Sequence, residues 1–200
     1  RSSWVTGVQT CALPICISAL AAALQHADPA AELSRVLSRS WPDITLLGTE
    51  TARSGLPAIL LEMFRPLYRA ATAAEAMAAF ARCRVLCALR EGPWGVAGIN
   101  RLCRELLRRQ GLVPARQEWY RGLPVLIQHN AHDLRLYNGD TGMLWPDENA
   151  VLRAWFAAEG DLRPFPPTAL PAWQPAWAIT VHKAQGAEFD DVVQIGRAHV

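Results

Sequence analysis

Thr180-Val-His-Lys-Ala-Gln-Gly-Ala-Glu188 gathers a hydroxyl, an imidazole, an ammonium, an amide and a carboxylate into one short stretch. An apolar run enters it (Trp177 to Val181) and another leaves it (Val192, Val193, Ile195). Both read as buried strands, so His182, Lys183, Gln185 and Glu188 belong at a sheet edge, where α/β proteins bind ligands. Gly186 allows close backbone approach or a positive φ. Lys183 is the single lysine among 20 Lys plus Arg. In an Ala-rich chain with the arginine bias of a GC-rich coding sequence, a lysine retained here points to a compact, flexible ammonium; chance is the alternative. Two plainer roles also stay open: Glu188 capping a backbone N–H, and His182 as a satisfied core histidine. A phosphate-binding P-loop requires Gly-Lys-Ser/Thr, whereas Lys183 follows His182, so these 200 residues hold no such loop.

A second suspect is Arg90-Glu-Gly-Pro-Trp-Gly95, a glycine-rich loop ahead of an expected helix from Val96 to about Gln110, ended by Gly111. Free N–H groups at such a helix start attract anions, so Gly92 to Asn100 could hold a phosphate; a structural turn is the equal alternative. The helix carries Arg101, Arg104, Arg108 and Arg109, a basic stripe that also reads as a solvated face. His129 and His132 have metal-like spacing but no partner cysteines or second histidine pair, so no metal site is expected. The five cysteines are odd in number and form no C-x-x-C knuckles. With no secretory pattern, they read as reduced thiols of a cytoplasmic protein.

The elements that must position these groups follow from periodicity. Ser18 to Ser40 is helical in pattern, Asp43 to Gly48 a short strand, Leu56 to Ala70 a helix, and Thr72-Ala-Ala-Glu75 a capping box opening another. Arg84 to Leu89 is the near-continuous apolar run of a buried parallel strand. After Pro114 the pattern turns to strands: Leu123 to Gln128, Leu134 to Tyr137, Met143 to Trp145 and Val151 to Phe156. Asn138-Gly139 signals a type I′ hairpin turn. A small barrel of four or five strands is expected, closed off by the proline-rich run from Pro164 to Pro171.

Composition bounds the rest. A hydrophobic content of 51% supports a sizeable core, and the net charge of +2 is too small to announce a nucleic-acid binder, so any such contact needs local arginine placement. The longest apolar run, Ile15 to Leu24, falls well short of the roughly 20 residues that span a bilayer, and no membrane partner is expected. Residues 1–16 and 196–200 fit no pattern and resemble translated adapter scars.

Three stretches in order carry a family resemblance: Leu86-Cys-Ala-Leu-Arg-Glu-Gly-Pro-Trp-Gly-Val-Ala-Gly-Ile-Asn100; Trp119 to Asn130 continuing to Leu136-Tyr-Asn-Gly-Asp-Thr-Gly142; and Thr180 to Phe189. The last resembles the fifth motif of superfamily 1 helicases. Together, over roughly residues 76 to 195, they resemble the RecD family of superfamily 1B DNA helicases, the alpha subunits of exodeoxyribonuclease V.

The resemblance implies an α/β fold: a partial RecA-like second helicase domain with a parallel sheet and an inserted SH3-like small β-barrel. Its implied layout is domain 2A over 17–114, the insertion 2B over 115–172, and the return to 2A with the motif over 173–195. It further implies that Thr180, His182, Lys183, Arg90, Asn100 and Asn138 meet single-stranded DNA, and that Gln185, Gly186, Ala187 and Glu188 approach ATP. ATP and Mg²⁺ belong to a longer parent whose P-loop lies upstream; no catalytic set is complete here, and the isolated chain is expected to be inactive. Family members usually carry serine where this chain has Ala184 and Ala187, so those hydroxyl contacts are lost. The implied partners are single-stranded DNA and the other subunits of an exodeoxyribonuclease V-type complex, in double-strand-break repair and recombination. The alternative is a non-catalytic single-stranded nucleic-acid-binding module built on the barrel and the arginine stripe.

Overall fold

The computed structural model describes residues 47–158 and 160–196, with residues 23, 25–28, 31, 32, 35, 36, 38 and 45. Much of the expected helix over Ser18 to Ser40, the segment 1–16 and the residues after 196 lie outside the described residues. Of the strand expected over Asp43 to Gly48, only Thr45, Leu47 and Gly48 are described, and none is in a strand.

Helix α1 spans Thr49–Arg69 and α2 Ala73–Ala81. The sequence signals put the start of α1 at Leu56, but it begins earlier and contains both Pro57 and Pro66. Burial of Ala52, Leu56, Leu60 and Phe64 outweighs the proline penalty there. Helix α2 opens as expected: the Thr72 hydroxyl accepts from the Glu75 N–H, and the Glu75 carboxylate accepts from the Ala71 N–H.

Strands β1 (Cys83–Cys87), β7 (Ala178–Thr180) and β8 (Asp191–Ile195) form a parallel sheet in the order β7-β1-β8, with Leu86 opposite both Ile179 and Gln194. Helix α3 (Val96–Arg109) follows β1 and packs on α1 and β7. Between α3 and β7 lies an antiparallel sheet of β2 (Pro124–Ile127), β3 (Thr141–Pro146), β4 (Leu152–Ala158), β5 (Asp161–Phe165) and β6 (Trp173–Pro175). Its order is β5-β4-β3-β2-β6.

This sheet corrects three expectations. It is open, not a closed barrel, because β5 and β6 lie at opposite edges and do not pair. Leu134 to Tyr137 is no strand: Arg135 is left-handed (φ 51°), and only an isolated bridge joins Ala131 to Leu136. Asn138-Gly139 is not type I′, since only Gly139 has positive φ (104°); the Asp140 N–H donates to the Tyr137 carbonyl across a type II-like turn.

The two sheets share one core. The Arg121 guanidinium donates to the Ala70 carbonyl and lies 4.2 Å from the Trp145 ring centroid, while α2 packs against β3. Trp177, fully buried, meets Phe64 at 4.8 Å and Phe80 and Tyr68 at 6.2 and 6.3 Å. Among the described residues no helix is long and apolar enough to cross a membrane.

Candidate nucleic-acid interface

Strand β7 ends at Thr180, and the chain turns at once through a single 3-10 turn, Val181–Ala184. The Thr180 hydroxyl caps that turn by accepting from the Lys183 N–H at 3.3 Å. Beyond it Gly186 adopts φ +82°, the left-handed conformation its residue type allows, and the chain re-enters the sheet as β8. The polar stretch therefore sits at the C-terminal edge of parallel strands, as its flanking apolar runs require.

From that edge Lys183 reaches across to the antiparallel sheet. Its Nζ lies 3.4 Å from both the Gln128 Oε1 and the Asn138 Oδ1, long contacts to two neutral acceptors. Burial, and then the charge of Arg90, hold its ammonium below the ordinary lysine pKa. The Asn130 side chain fixes the loop that presents Asn138, accepting from the Asn138 N–H at 2.8 Å.

Lys183 stands in the wall of a cleft of about 770 Å³ that runs between α3, the edge strand β6 and the Thr180 turn. Arg90, Arg101 and Arg104 also line it, against two carboxylates, Glu91 and Glu118. None of these four cations forms an ion pair among the described residues. The arginine stripe of α3 is thereby split. Arg108 and Arg109 both pair with Glu105, whose carboxyl they hold down to about 2. Arg101 and Arg104 face the cleft, and Arg104 is tethered by donating to the Gln117 carbonyl at 2.9 Å.

Asn100 also lines the cleft but is 7% exposed, and its amide is committed to β7. It donates to the Ala178 carbonyl and accepts from the Ala178 N–H, both at 3.1 Å. Among the described residues β7 is an edge strand, and Asn100 satisfies backbone groups that no described neighbouring strand pairs. The loop before α3 behaves as a turn: the Leu89 and Arg90 carbonyls accept the Val96 and Ala97 N–H groups that an anion would need. An alanine Cβ at Gly98 would sit 2.3 Å from the Gly92 carbonyl oxygen, so glycine is what lets the helix lie on this loop.

Of the residues singled out in the sequence, Thr180, Lys183, Arg90, Asn100 and Asn138 converge on this cleft. His182 is exposed and outside the cleft lining, which removes the core-histidine alternative. Gln185, Gly186, Ala187 and Glu188 follow the turn, are exposed and are likewise outside the lining. Sequence reasoning missed Gln128, Tyr120 and Trp173 in the lining. The one available signal was a tryptophan at each end of the inserted segment, Trp119 and Trp173.

Among the described residues no cluster of His, Cys, Asp and Glu has the form of a metal site. Cys83, Cys87 and Cys103 are buried free thiols, with burial pushing the first two up to about 12 and Cys103 higher still. What the cleft can do is bind: cations free of carboxylate partners, amide groups and aromatic faces suit a polyanion that carries planar bases.

No family model matches the chain. It is similar to proteins named RecBCD enzyme subunit RecD. The one from Buchnera aphidicola is 33% identical over 133 residues, 64% of this chain and 22% of that protein. The Haemophilus influenzae protein is 38% identical over 114 residues, 56% of this chain and 17% of its own length. The Mycolicibacterium smegmatis protein is 36% identical over 118 residues, covering 59% and 21%. The chain thus spans about a fifth of the length of the curated relatives it matches.

Proposed function

We propose that the chain is the second-domain part of a RecD-type DNA helicase subunit, and that its cleft holds the single strand along which such a subunit moves. The observation that carries the reading is the convergence of Arg90, Arg101, Arg104 and Lys183, none ion-paired among the described residues, on one cleft at the C-terminal edge of a parallel sheet. The similarity to RecD subunits supports it from an independent direction. In this reading the parallel sheet is RecA-like domain 2A and the open antiparallel sheet is the SH3-like insertion 2B. The parent works with other subunits of an exodeoxyribonuclease V-type complex in break repair. ATP and Mg²⁺ are bound by a P-loop elsewhere in the parent, and the 200 residues alone do not turn over ATP.

The residues divide by their place along the chain. Lys183 offers a point charge to a phosphate, with Gln128 and Asn138 as the acceptors it leaves when a phosphate arrives. Asn100 positions β7, and Thr180 holds the turn. Gln185 to Glu188, which follow the turn and lie outside the cleft lining, approach the nucleotide in the parent.

Single-strand binding by the chain, followed by anisotropy of a labelled oligothymidylate across a salt series, tests the cleft. Lys183→Ala and Arg101→Ala should each weaken binding and reduce the salt slope by about 0.7. In the full parent, Glu188→Gln should leave DNA affinity unchanged while lowering DNA-stimulated ATP hydrolysis. A folded chain that binds no oligonucleotide at low salt, or equal loss of DNA affinity in the Lys183 and Glu188 variants, refutes this assignment.

A further inference from the structure

Resting on the single-strand reading above, we propose that Trp173 is a nucleobase-stacking platform, so that the cleft grips bases as well as phosphates. Trp173 lies on the edge strand β6, is half-buried and lines the cleft. Its ring rests on Trp119, with centroids 4.6 Å apart and planes at 38°. Trp119 is also half-buried but is not part of the cleft lining, so it backs the platform without competing for the ligand.

Trp173 packs against the edge of the core, and contrast with three other tryptophans marks out what it has free. Trp145 and Trp177 are fully buried, and Trp155 is fixed by donating its indole N–H to the Trp145 carbonyl. Trp173 instead presents apolar surface in a cleft that otherwise offers Arg90, Arg101, Arg104 and Lys183. A tryptophan has only two side-chain torsions, and a second ring packed on it lowers the entropy lost when a ligand stacks. Rings of this kind bind every base, because every base has a π-face, while the neighbouring cations follow the backbone. The ligand class is therefore an unpaired nucleic-acid strand with accessible bases, not an acidic peptide or a bare polyphosphate.

The comparison that isolates stacking is between an oligothymidylate and an abasic oligonucleotide of the same length, titrated by anisotropy against the full 200-residue chain. The chain should bind the base-bearing strand more tightly. Trp173→Ala should lower that affinity about 5- to 150-fold, towards the abasic value, and leave abasic binding unchanged. Trp173→Phe should retain most of the preference, and Trp119→Ala should lose part of it. Should Trp173→Ala prove unfolded by circular dichroism, Trp173→Leu, which keeps bulk but has no π-face, serves the same comparison. An unchanged ratio in the Trp173 variants, with only a lower melting temperature, would mean that the two rings merely staple the segment and would overturn the proposal. Equal binding of both strands by the unmodified chain overturns it too, with the cationic cleft intact. Failure of the folded chain to bind either strand removes the single-strand reading itself.

Discussion

The single lysine owes its position to neighbours that no local pattern reveals. Spacing put Lys183 at a sheet edge, and the Thr180 cap holds it there, but its two acceptors come from Gln128 and Asn138, 55 and 45 residues away. Asn100 is the reverse case: its sequence context suggested a ligand contact, and its amide is spent on the backbone of Ala178. Asn100→Ala should therefore act on stability. It leaves a buried N–H and a buried carbonyl without partners, at about 1–3 kcal/mol each. Urea unfolding should show a loss of about 2–6 kcal/mol, and Asn100→Asp should not rescue it, because its carboxylate would be buried against the Ala178 carbonyl. An Asn100→Ala chain of unchanged midpoint would mean that β7 satisfies these groups in another way.

Among the elements, parallel strands were legible and the antiparallel sheet only in part. β1 and β8 are apolar runs that alternate little because both faces are covered, which is a strong sequence signal. β5 contains Arg163 and Pro164, and β6 ends at Pro175, so both fall below any propensity threshold; they are strands because β4 and β2 pair with them. Gly142 in β3 is equally opaque in sequence. Glycine normally weakens a strand, yet here the Phe156 ring lies where a side chain would start, 2.6 Å from an added Cβ. Gly142→Ala should thus destabilise by about 1–3 kcal/mol through overpacking, against the small gain that strand propensity alone suggests. The pair Gly142→Ala with Phe156→Leu should recover part of the loss in the same urea titration; an additive double variant would show that the ring is not the cause.

At the scale of the whole molecule, one core shared by two sheets buries three thiols, and their chemistry reports on its integrity. Cys83 and Cys87 move from the ordinary 9.0 up to about 12 because burial disfavours the thiolate, and Cys103 moves further in the same direction. In the unfolded chain these groups ionise near pH 9, so the folded state then holds more protons and stability falls as pH rises from about 9 to about 12. Melting temperature should be flat with respect to these groups below about pH 8 and decline above about 9, with a shallower decline in Cys87→Ala after correction for its lower starting stability. At neutral pH, peptide mapping after iodoacetamide treatment should find all three unlabelled in the native chain and labelled in urea. Native labelling of Cys103, on the buried face of α3, would contradict the packing of that helix on the sheet.

From Trp173 to Thr180 the chain crosses from one sheet to the other, β6 pairing in the first and β7 in the second, with Ala176 and a bend at Trp177 between them. The Ala176 N–H donates to the Pro124 carbonyl, and Trp177 is wedged among Phe64, Tyr68 and Phe80. Such a segment cannot slide lengthwise without extracting an indole from the core. Trp177 thus rivets the crossover to the core, with the cleft-lining Trp173 on one side of it along the chain and the turn bearing Lys183 on the other.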